Sequence, residues 1–320
     1  MRTAAILSAW FFLCCSAPQQ PAVEPDLPPG PGEVSYSAGD LLGVGKAYNQ
    51  RGESQKAIGV LNDCLKKNPD LAEAHFQLGL ALSRLGKNKA ALAAFQTAHF
   101  KDPAHVQAAL MLGMTHDLEG HPQRALLIYQ TTMKHHPDHP QLLQEMGNTL
   151  MMLNRVPEAV EALERALVKK PADADLLGDL GYACLVAGKP KRARQVLEEA
   201  HNRAPDRPDI TLNLGRARLG SGDAVAAAEA FENLIKLKPD NPEGYIHLAL
   251  CRIREKKLDA AKQAAQRAIE LEPALPRAHF LLGVVYDAMG KQKAARASFK
   301  KALELDPKMK AARDWLKKNK

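Results

Sequence analysis

Proline recurs along this chain at a fixed interval of 34 residues. A spacing that holds without insertion or deletion predicts a structural unit that stacks on copies of itself. Each copy then contacts mainly its neighbours, so the usual relation between chain length and number of compact domains does not apply. The prolines of this series are Pro69, Pro103, Pro137, Pro171, Pro205, Pro239, Pro273 and Pro307.

One period has room for two helices and two short turns. In the period Pro140–Asp173, Leu143, Gly147 and Leu150 recur at steps of three and four residues, as they would on one face of a helix. A second helix is predicted to begin near Pro157. Aromatic residues make up only 5% of the chain, so the core must consist mainly of alanine and leucine, which favour helices.

Two small residues recur with the same period. A glycine in a helix interior costs about 1 kcal/mol relative to alanine, so its repetition predicts a close approach between the two helices of a pair. The glycine column of the first helix is Gly45, Gly79, Gly113, Gly147, Gly181, Gly215 and Gly283, with Ala249 as its one departure. The alanine column of the second helix is Ala57, Ala91, Ala125, Ala159, Ala193, Ala227, Ala261 and Ala295.

A column of larger residues in the second helix is expected to fill the space between successive repeats. Its members are Leu61, Phe95, Tyr129, Leu163, Leu197, Phe231, Ala265 and Phe299. Prolines outside the series are predicted to start helices, where a missing N–H is harmless. They are Pro122, Pro140, Pro157, Pro190, Pro208, Pro242 and Pro276.

The glycine, alanine and proline columns resemble those of the tetratricopeptide repeat (TPR) family. The resemblance covers residues 38–309 and implies an all-α, right-handed superhelical solenoid of eight helix-turn-helix repeats. Residues 310–320, with Ala312, Trp315 and Leu316, are interpreted as a C-terminal capping helix. In this family the first helices line a concave groove that binds an extended peptide or a helix of a partner protein.

The first-helix residues outside the packing columns are the predicted partner-binding groove. Its apolar, methionine-rich middle should not remain in water unless a partner covers it, and methionine adapts to varied partners. The alternative is that several of these side chains are core between repeats. The predicted groove residues are Phe76, Leu80, Leu110, Met111, Met114, Gln144, Asn148, Met151, Met152, Tyr182 and Leu185.

Some chaperone-binding members of the family hold a terminal carboxylate with basic and asparagine side chains. Gln144 stands here where that pattern has a lysine, and Asp175, Asp179 and Asp209 bring negative charge. Binding through such a clamp is therefore disfavoured.

The N-terminus has the order of a secretory signal. One positive charge at Arg2 precedes an apolar run, which ends at Cys14 and Cys15. We predict that residues 1–15 are a signal peptide, with lipidation of Cys14 or Cys15 as in a bacterial lipoprotein. The alternative is ordinary cleavage near Ser16 or Ala17. Residues 16–37 are proline-rich and are predicted to be a linker.

No catalytic or cofactor motif stands out in the sequence. The run His135-His136-Pro137-Asp138-His139 has metal-binding side chains, but it coincides with a predicted turn between repeats, so no metal and no cofactor are predicted. Cys64, Cys184 and Cys251 lie in separate repeats and are expected to be small buried residues without a disulfide.

Positive charge is concentrated at the C-terminus. Residues 291–320 contain 11 Lys or Arg residues and three acidic residues. A solvated cap explains this charge, and contact with an anionic surface or partner is the alternative. Nucleic acid is not expected, because stacking aromatics are scarce at this end of the chain.

The sequence therefore predicts a non-enzymatic protein-interaction scaffold. It would be exported to the cell envelope, on the periplasmic side of a bacterial membrane, with a lipid anchor. Two alternatives are a regulatory TPR subunit of an enzyme carried on another chain and a cytoplasmic TPR adaptor.

Overall fold

The computed structural model describes residues 36–319 of the chain. This part consists of seventeen α-helices without a β-strand, which confirms the predicted all-α solenoid. The predicted signal peptide, with Cys14 and Cys15, and residues 16–35 of the predicted linker lie outside the described residues.

Sixteen of the helices alternate along the chain as the first and second helices of the eight 34-residue repeats. The first helices are α1 (Ala38–Gln50), α3 (Ala72–Arg84), α5 (Val106–Leu118), α7 (Pro140–Met152), α9 (Ala174–Val186), α11 (Pro208–Gly220), α13 (Pro242–Arg254) and α15 (Pro276–Ala288). The second helices are α2 (Ser54–Lys67), α4 (Asn88–Lys101), α6 (Pro122–Met133), α8 (Val156–Lys169), α10 (Pro190–Arg203), α12 (Ala224–Leu237), α14 (Leu258–Leu271) and α16 (Gln292–Leu305). The last helix, α17, spans Lys310–Lys318.

Helix starts follow local chemistry. Ser37 and Asp40 form a capping box at α1, in which each side chain accepts a hydrogen bond from the other residue's backbone N–H. Six helices (α6, α7, α10, α11, α13 and α15) carry proline in their first turn, where its missing N–H costs nothing. The predicted role of these prolines is confirmed.

The turn inside every repeat contains one residue with positive φ. Glycine adopts this left-handed conformation without the steric penalty that a Cβ atom brings, and six of the eight positions hold glycine. Asn154 and Lys256 are the exceptions. The column consists of Gly52, Gly86, Gly120, Asn154, Gly188, Gly222, Lys256 and Gly290.

The packing glycines lie against the large residues of their own repeats. A Cβ atom at Gly45 would come within 2.6 Å of Leu61, and one at Gly79 would come within 2.5 Å of Phe95. The large column therefore fills the space inside a helix pair. It also packs against the following repeat, as expected, since the ring of Phe231 stacks at 4.9 Å on the ring of His247 in the next repeat.

In the seventh repeat, different residues fill the space between the two helices. Ala249 replaces the glycine and Ala265 replaces the large side chain, and both are fully buried in one apolar cluster. A methyl group on the first helix is thus matched by a smaller side chain on the second. The two departures from the columns compensate for each other.

The described residues divide into two compact units, the first ending at residue 155 and the second beginning at residue 156. Within the first unit, second helices pack between first helices, and α1 also contacts α3 while α5 contacts α7. Within the second unit the first helices α9, α11, α13 and α15 contact one another in sequence. In both units, neighbouring first helices thus share one face.

Helix α17 packs on the end of the second unit. Ala312 is fully buried, and the Trp315 ring lies 4.5 Å from the Phe299 ring. Trp315 Nε1 also donates a hydrogen bond to Asp287 Oδ2 at 2.9 Å. The short helix therefore covers apolar surface that a further repeat would otherwise cover.

The cysteines of the described chain are structural. Cys64, Cys184 and Cys251 are free and fully buried, as predicted. Burial raises the pKa of Cys251 to about 12, so its thiol stays protonated at neutral pH. Among residues 36–319, no helix is both long enough and apolar enough to cross a membrane.

Candidate partner-binding surfaces

In each unit, one position of every first helix stays accessible. It directly follows the packing glycine (or Ala249), and it is at most partly buried in all eight repeats. We name this set the groove column. Its members are Lys46, Leu80, Met114, Asn148, Tyr182, Arg216, Leu250 and Val284.

The first unit presents apolar side chains at and near this column. Leu80, Met114 and Met151 are partly exposed, and Met152 has 56% of its surface in contact with solvent. Met111 is also partly exposed, and both Met111 and Leu80 pack in part against the core cluster that contains Phe95. The accessible part of the predicted groove in this unit therefore consists mainly of Leu80, Met114, Met151 and Met152.

Two of the predicted groove residues belong to the core instead. Phe76 is 7% exposed, and its ring lies 4.9 Å from the His105 ring and 5.7 Å from the Phe95 ring. Leu110 is 3% exposed and packs with Tyr129 and the rest of its cluster. These two residues were wrongly assigned to the groove, because neighbouring elements cover them.

The remaining predicted groove residues differ in polarity and exposure between the two units. In the first unit, the polar Gln144 and Asn148 are both partly buried. In the second unit, Tyr182 is 42% exposed, whereas Leu185 is partly buried. Tyr182 belongs to the groove column, and its aromatic ring is partly accessible to solvent.

At the N-terminal end of the first unit, Glu73 is the centre of a polar network. Its carboxylate accepts from Lys46 Nζ at 2.8 Å, from Gln77 Nε2 at 2.9 Å and from His105 Nε2 at 3.0 Å. The Ala108 N–H donates to His105 Nδ1, which leaves the proton on Nε2. Burial opposes the charge of Glu73, but the three hydrogen bonds outweigh it and lower its pKa to about 2.

The second unit contains a basic pocket that the sequence did not reveal. The cavity has a volume of about 300 Å³ and lies between α11, α13 and α15. Its lining combines three arginines with an acidic residue, a histidine and small or apolar residues. They are Arg216, Leu219, Gly220, Glu243, His247, Leu250, Arg254 and Arg277.

The histidine run between the third and fourth repeats has structural roles. His136 Nε2 lies 3.0 Å from the backbone oxygen of Ala104. The Leu142 N–H donates to His139 Nδ1, so this histidine caps α7. Within residues 36–319, no cluster of three or more potential ligands is arranged to hold a metal ion.

The basic C-terminal end is solvent-exposed. Lys300, Lys310, Lys317 and Lys318 all lie at the surface. One lysine here is neutralised locally, since Lys301 Nζ lies 3.1 Å from Glu304. The predicted anionic contact at this end stays a prediction.

Comparison with known families decides the classification. Sequence models of the tetratricopeptide repeat match residues 45–86, 76–140, 145–208, 218–283 and 276–309, so they cover most of the chain. The chain belongs to the tetratricopeptide repeat family. No curated protein matches the sequence as a relative.

Solved TPR structures show the same fold. MamA residues 41-end from Desulfovibrio magneticus RS-1 is 24% identical, with a TM-score of 0.51 over 54% of this chain and 97% of that one. YrrB, described as a TPR protein with an unusual peptide-binding site, is 19% identical, with a TM-score of 0.50 over 59% and 97%. The Cut9–Hcn1 complex of the APC/C is 18% identical, with a TM-score of 0.57 over 78% of this chain and 51% of that one.

Proposed function

We propose that this TPR protein is a non-enzymatic scaffold that binds an extended segment of a partner protein along its first helices. The observation that carries the proposal is the groove column. Its residues stay accessible in every repeat although the packing column beside it is buried. Within each unit, a periodic line of accessible side chains on packed helices can contact a bound segment at regular intervals.

The first unit favours apolar side chains in that segment. Leu80, Met114, Met151 and Met152 offer flexible thioether and aliphatic groups, and covering them removes apolar surface from water. YrrB, which shares the fold, is described as having a peptide-binding site, so a TPR fold of this kind can hold a peptide.

We further propose that the protein acts at the cell envelope, anchored through Cys14 or Cys15. Support comes from the charged residue, apolar run and cysteines at the N-terminus. Mass spectrometry of the mature N-terminus tests this part alone. A lipidated cysteine is expected, whereas an unmodified terminus after Cys15 would contradict the anchor.

Partner capture by the full chain tests the groove. The double variant Met114→Glu with Met152→Glu places two charges on the proposed surface and is expected to abolish capture without loss of helicity. The matched control is Phe100→Glu with Leu127→Glu, two exposed apolar residues on second helices of the same unit. Equal capture by both double variants would reject the groove.

A further inference from the structure

A partly buried carboxyl group joins two neighbouring first helices of the first unit. Asp117 lies in the last turn of α5, and its Oδ2 atom is 2.6 Å from the hydroxyl oxygen of Thr149 in α7. Thr149 is fully buried, and its hydroxyl also lies 2.9 Å from the backbone oxygen of Glu145. This contact is a polar link between α5 and α7, the helices that carry Met114 and Met152.

The hydroxyl of Thr149 has one proton for two neighbouring oxygens. When Asp117 is ionised, the hydroxyl donates either to its carboxylate or to the backbone oxygen of Glu145, and one of the two contacts lacks a proton. When Asp117 is protonated, its own O–H donates to Thr149 Oγ1, and the Thr149 proton turns to the Glu145 oxygen. In the same arrangement, the neutral acid therefore makes one hydrogen bond more than the carboxylate.

The surroundings of Asp117 also favour its neutral form. Its other oxygen, Oδ1, is buried and has no hydrogen-bond partner within residues 36–319, which costs a carboxylate more than a neutral acid. A negative charge in the last turn of a helix is repelled by the helix dipole. Burial raises the pKa of Asp117 to about 6 from its ordinary value of 3.8, although the Thr149 contact opposes this shift.

The titratable groups around Asp117 leave its burial without compensation. Burial and the charges of Glu145 in α7 and Asp117 itself raise the pKa of Tyr129 in α6, so this hydroxyl stays neutral. Burial lowers the pKa of His116 on the same helix, and the buried His99 of α4 belongs to the opposite end of α5. Within residues 36–319, burial and the Thr149 contact are the influences that set the pKa of Asp117.

We propose that Asp117 and Thr149 form a pH-dependent link between α5 and α7, which is strong when Asp117 is a neutral carboxylic acid and weak when it is ionised. The proton comes from solvent and adds to Asp117 Oδ2. Because folding favours the neutral form, the stability from this link is fully present below pH 3.8 and is lost as the pH rises through about 6. The link needs no partner, and only its effect on a bound segment rests on the proposed function.

Carbon-13 NMR of the full chain, labelled at the aspartate carboxyl groups, tests the protonation state. The Asp117 signal is identified by its loss in Asp117→Asn. It should titrate with a midpoint near pH 6, well above the ordinary 3.8. A midpoint near pH 4 would overturn the proposal, and this measurement uses the parent chain, so it does not depend on the folding of a variant.

Hydrogen exchange of the backbone amides of α5 and α7 measures the strength of the link. In Asp117→Asn the amide N–H donates to Thr149 Oγ1 at every pH. The ratio of parent to variant exchange rates, in which the intrinsic pH dependence cancels, should therefore rise by about tenfold from pH 5 to pH 7.5. The control Asp63→Asn removes an exposed carboxylate that pairs with Lys66, and its ratio should change by less than about twofold. A constant ratio for Asp117→Asn would contradict the link.

Thr149→Val removes the hydroxyl and keeps the size of the side chain. At pH 5 it should increase exchange in α5 and α7 by about threefold to tenfold, because it loses the hydrogen bonds of the link. Thr149→Ser, which keeps the hydroxyl, should retain the pH dependence. If Thr149→Val were as protected as the parent chain at pH 5, the proposal would fail. These measurements involve no partner, so their failure would leave the proposed function standing.

Discussion

The ring of Tyr129 lies directly on Gly113, so that a Cβ atom at position 113 would come within 2.3 Å of Tyr129 Cζ. Tyr129 itself is fully buried. A larger side chain at either position would therefore push the two helices of the pair apart. This contact, repeated with Leu61, Phe95, Leu197, Phe231 and Phe299, explains why glycine recurs in helix interiors that would otherwise favour alanine.

Gly113→Ala is therefore expected to destabilise the protein although alanine is the better helix former. Overpacking a dense core costs about 1 to 3 kcal/mol, which exceeds the gain in helix propensity of about 1 kcal/mol. The control is Gly59→Ala in α2, where no atom lies within 4 Å of the added methyl group. Urea denaturation should show a loss for the first variant and a gain for the second, and a gain for both would contradict the packing account.

The seventh repeat allows a double-mutant cycle on the same contact. Ala265→Phe alone is expected to destabilise by about 1 to 3 kcal/mol, because Ala249 occupies the space that the ring needs. Ala249→Gly with Ala265→Phe restores the combination found in the second, sixth and eighth repeats. The double variant should recover most of the lost stability, and purely additive losses would show that the two positions are not coupled.

The positive φ values predict a stabilising substitution at Lys256. This residue has φ of 60°, a conformation that costs a residue with a Cβ atom about 1 to 2 kcal/mol. Lys256→Gly should therefore raise the free energy of unfolding by about 1 kcal/mol, measured by thermal or urea unfolding. Gly222→Ala, at φ of 94°, should lower it. If Lys256→Gly were destabilising, the strain assigned to this turn would be absent.

Most of the fold could be predicted because its packing is periodic. The contact between the packing glycine and the large residue 16 positions later recurs often enough to identify both columns without coordinates. A second column of glycines recurs with the same period at the turns inside the repeats. Asn154 and Lys256 occupy positions of this column, so the sequence already indicates that they adopt the positive φ that glycine favours.

The candidate site was less predictable because it depends on neighbours from other repeats. Phe76 was assigned to the groove from its own helix, yet His105 of the next repeat and Phe95 cover it. Arg216, Arg254 and Arg277 are separated widely in sequence and share a pocket only because their helices stack. The run of basic residues at the C-terminus is more obvious in sequence than this pocket.

The Glu73 network predicts an acid-sensitive contribution to stability. The pKa of Glu73 is about 2 in the folded chain and 4.5 as its ordinary value, so folding favours the ionised form. Stability from this group is present above pH 4.5 and is lost as pH falls towards 2. Because Glu73 is partly exposed, solvent screening reduces its contribution to the free energy of unfolding to something on the order of 2 kcal/mol.

Glu73→Gln is the variant that measures this contribution. It should lower the free energy of unfolding at pH 7, and the difference from the parent chain should shrink below pH 4.5. Glu304→Gln removes an exposed carboxylate that pairs with Lys301, and it should have little effect at either pH. A Glu73→Gln difference that stays constant from pH 7 to pH 3 would contradict the network.

Site-specific photo-crosslinking along the first helices tests the central claim most directly. A photoreactive residue at Met114, in the groove column, is compared with one at Leu127, which is 65% exposed on the second helix of the same repeat. The account predicts a partner segment crosslinked from position 114 and none from position 127. A crosslink from position 127 alone, or equal crosslinks from both, would show that the first-helix face is not the binding surface.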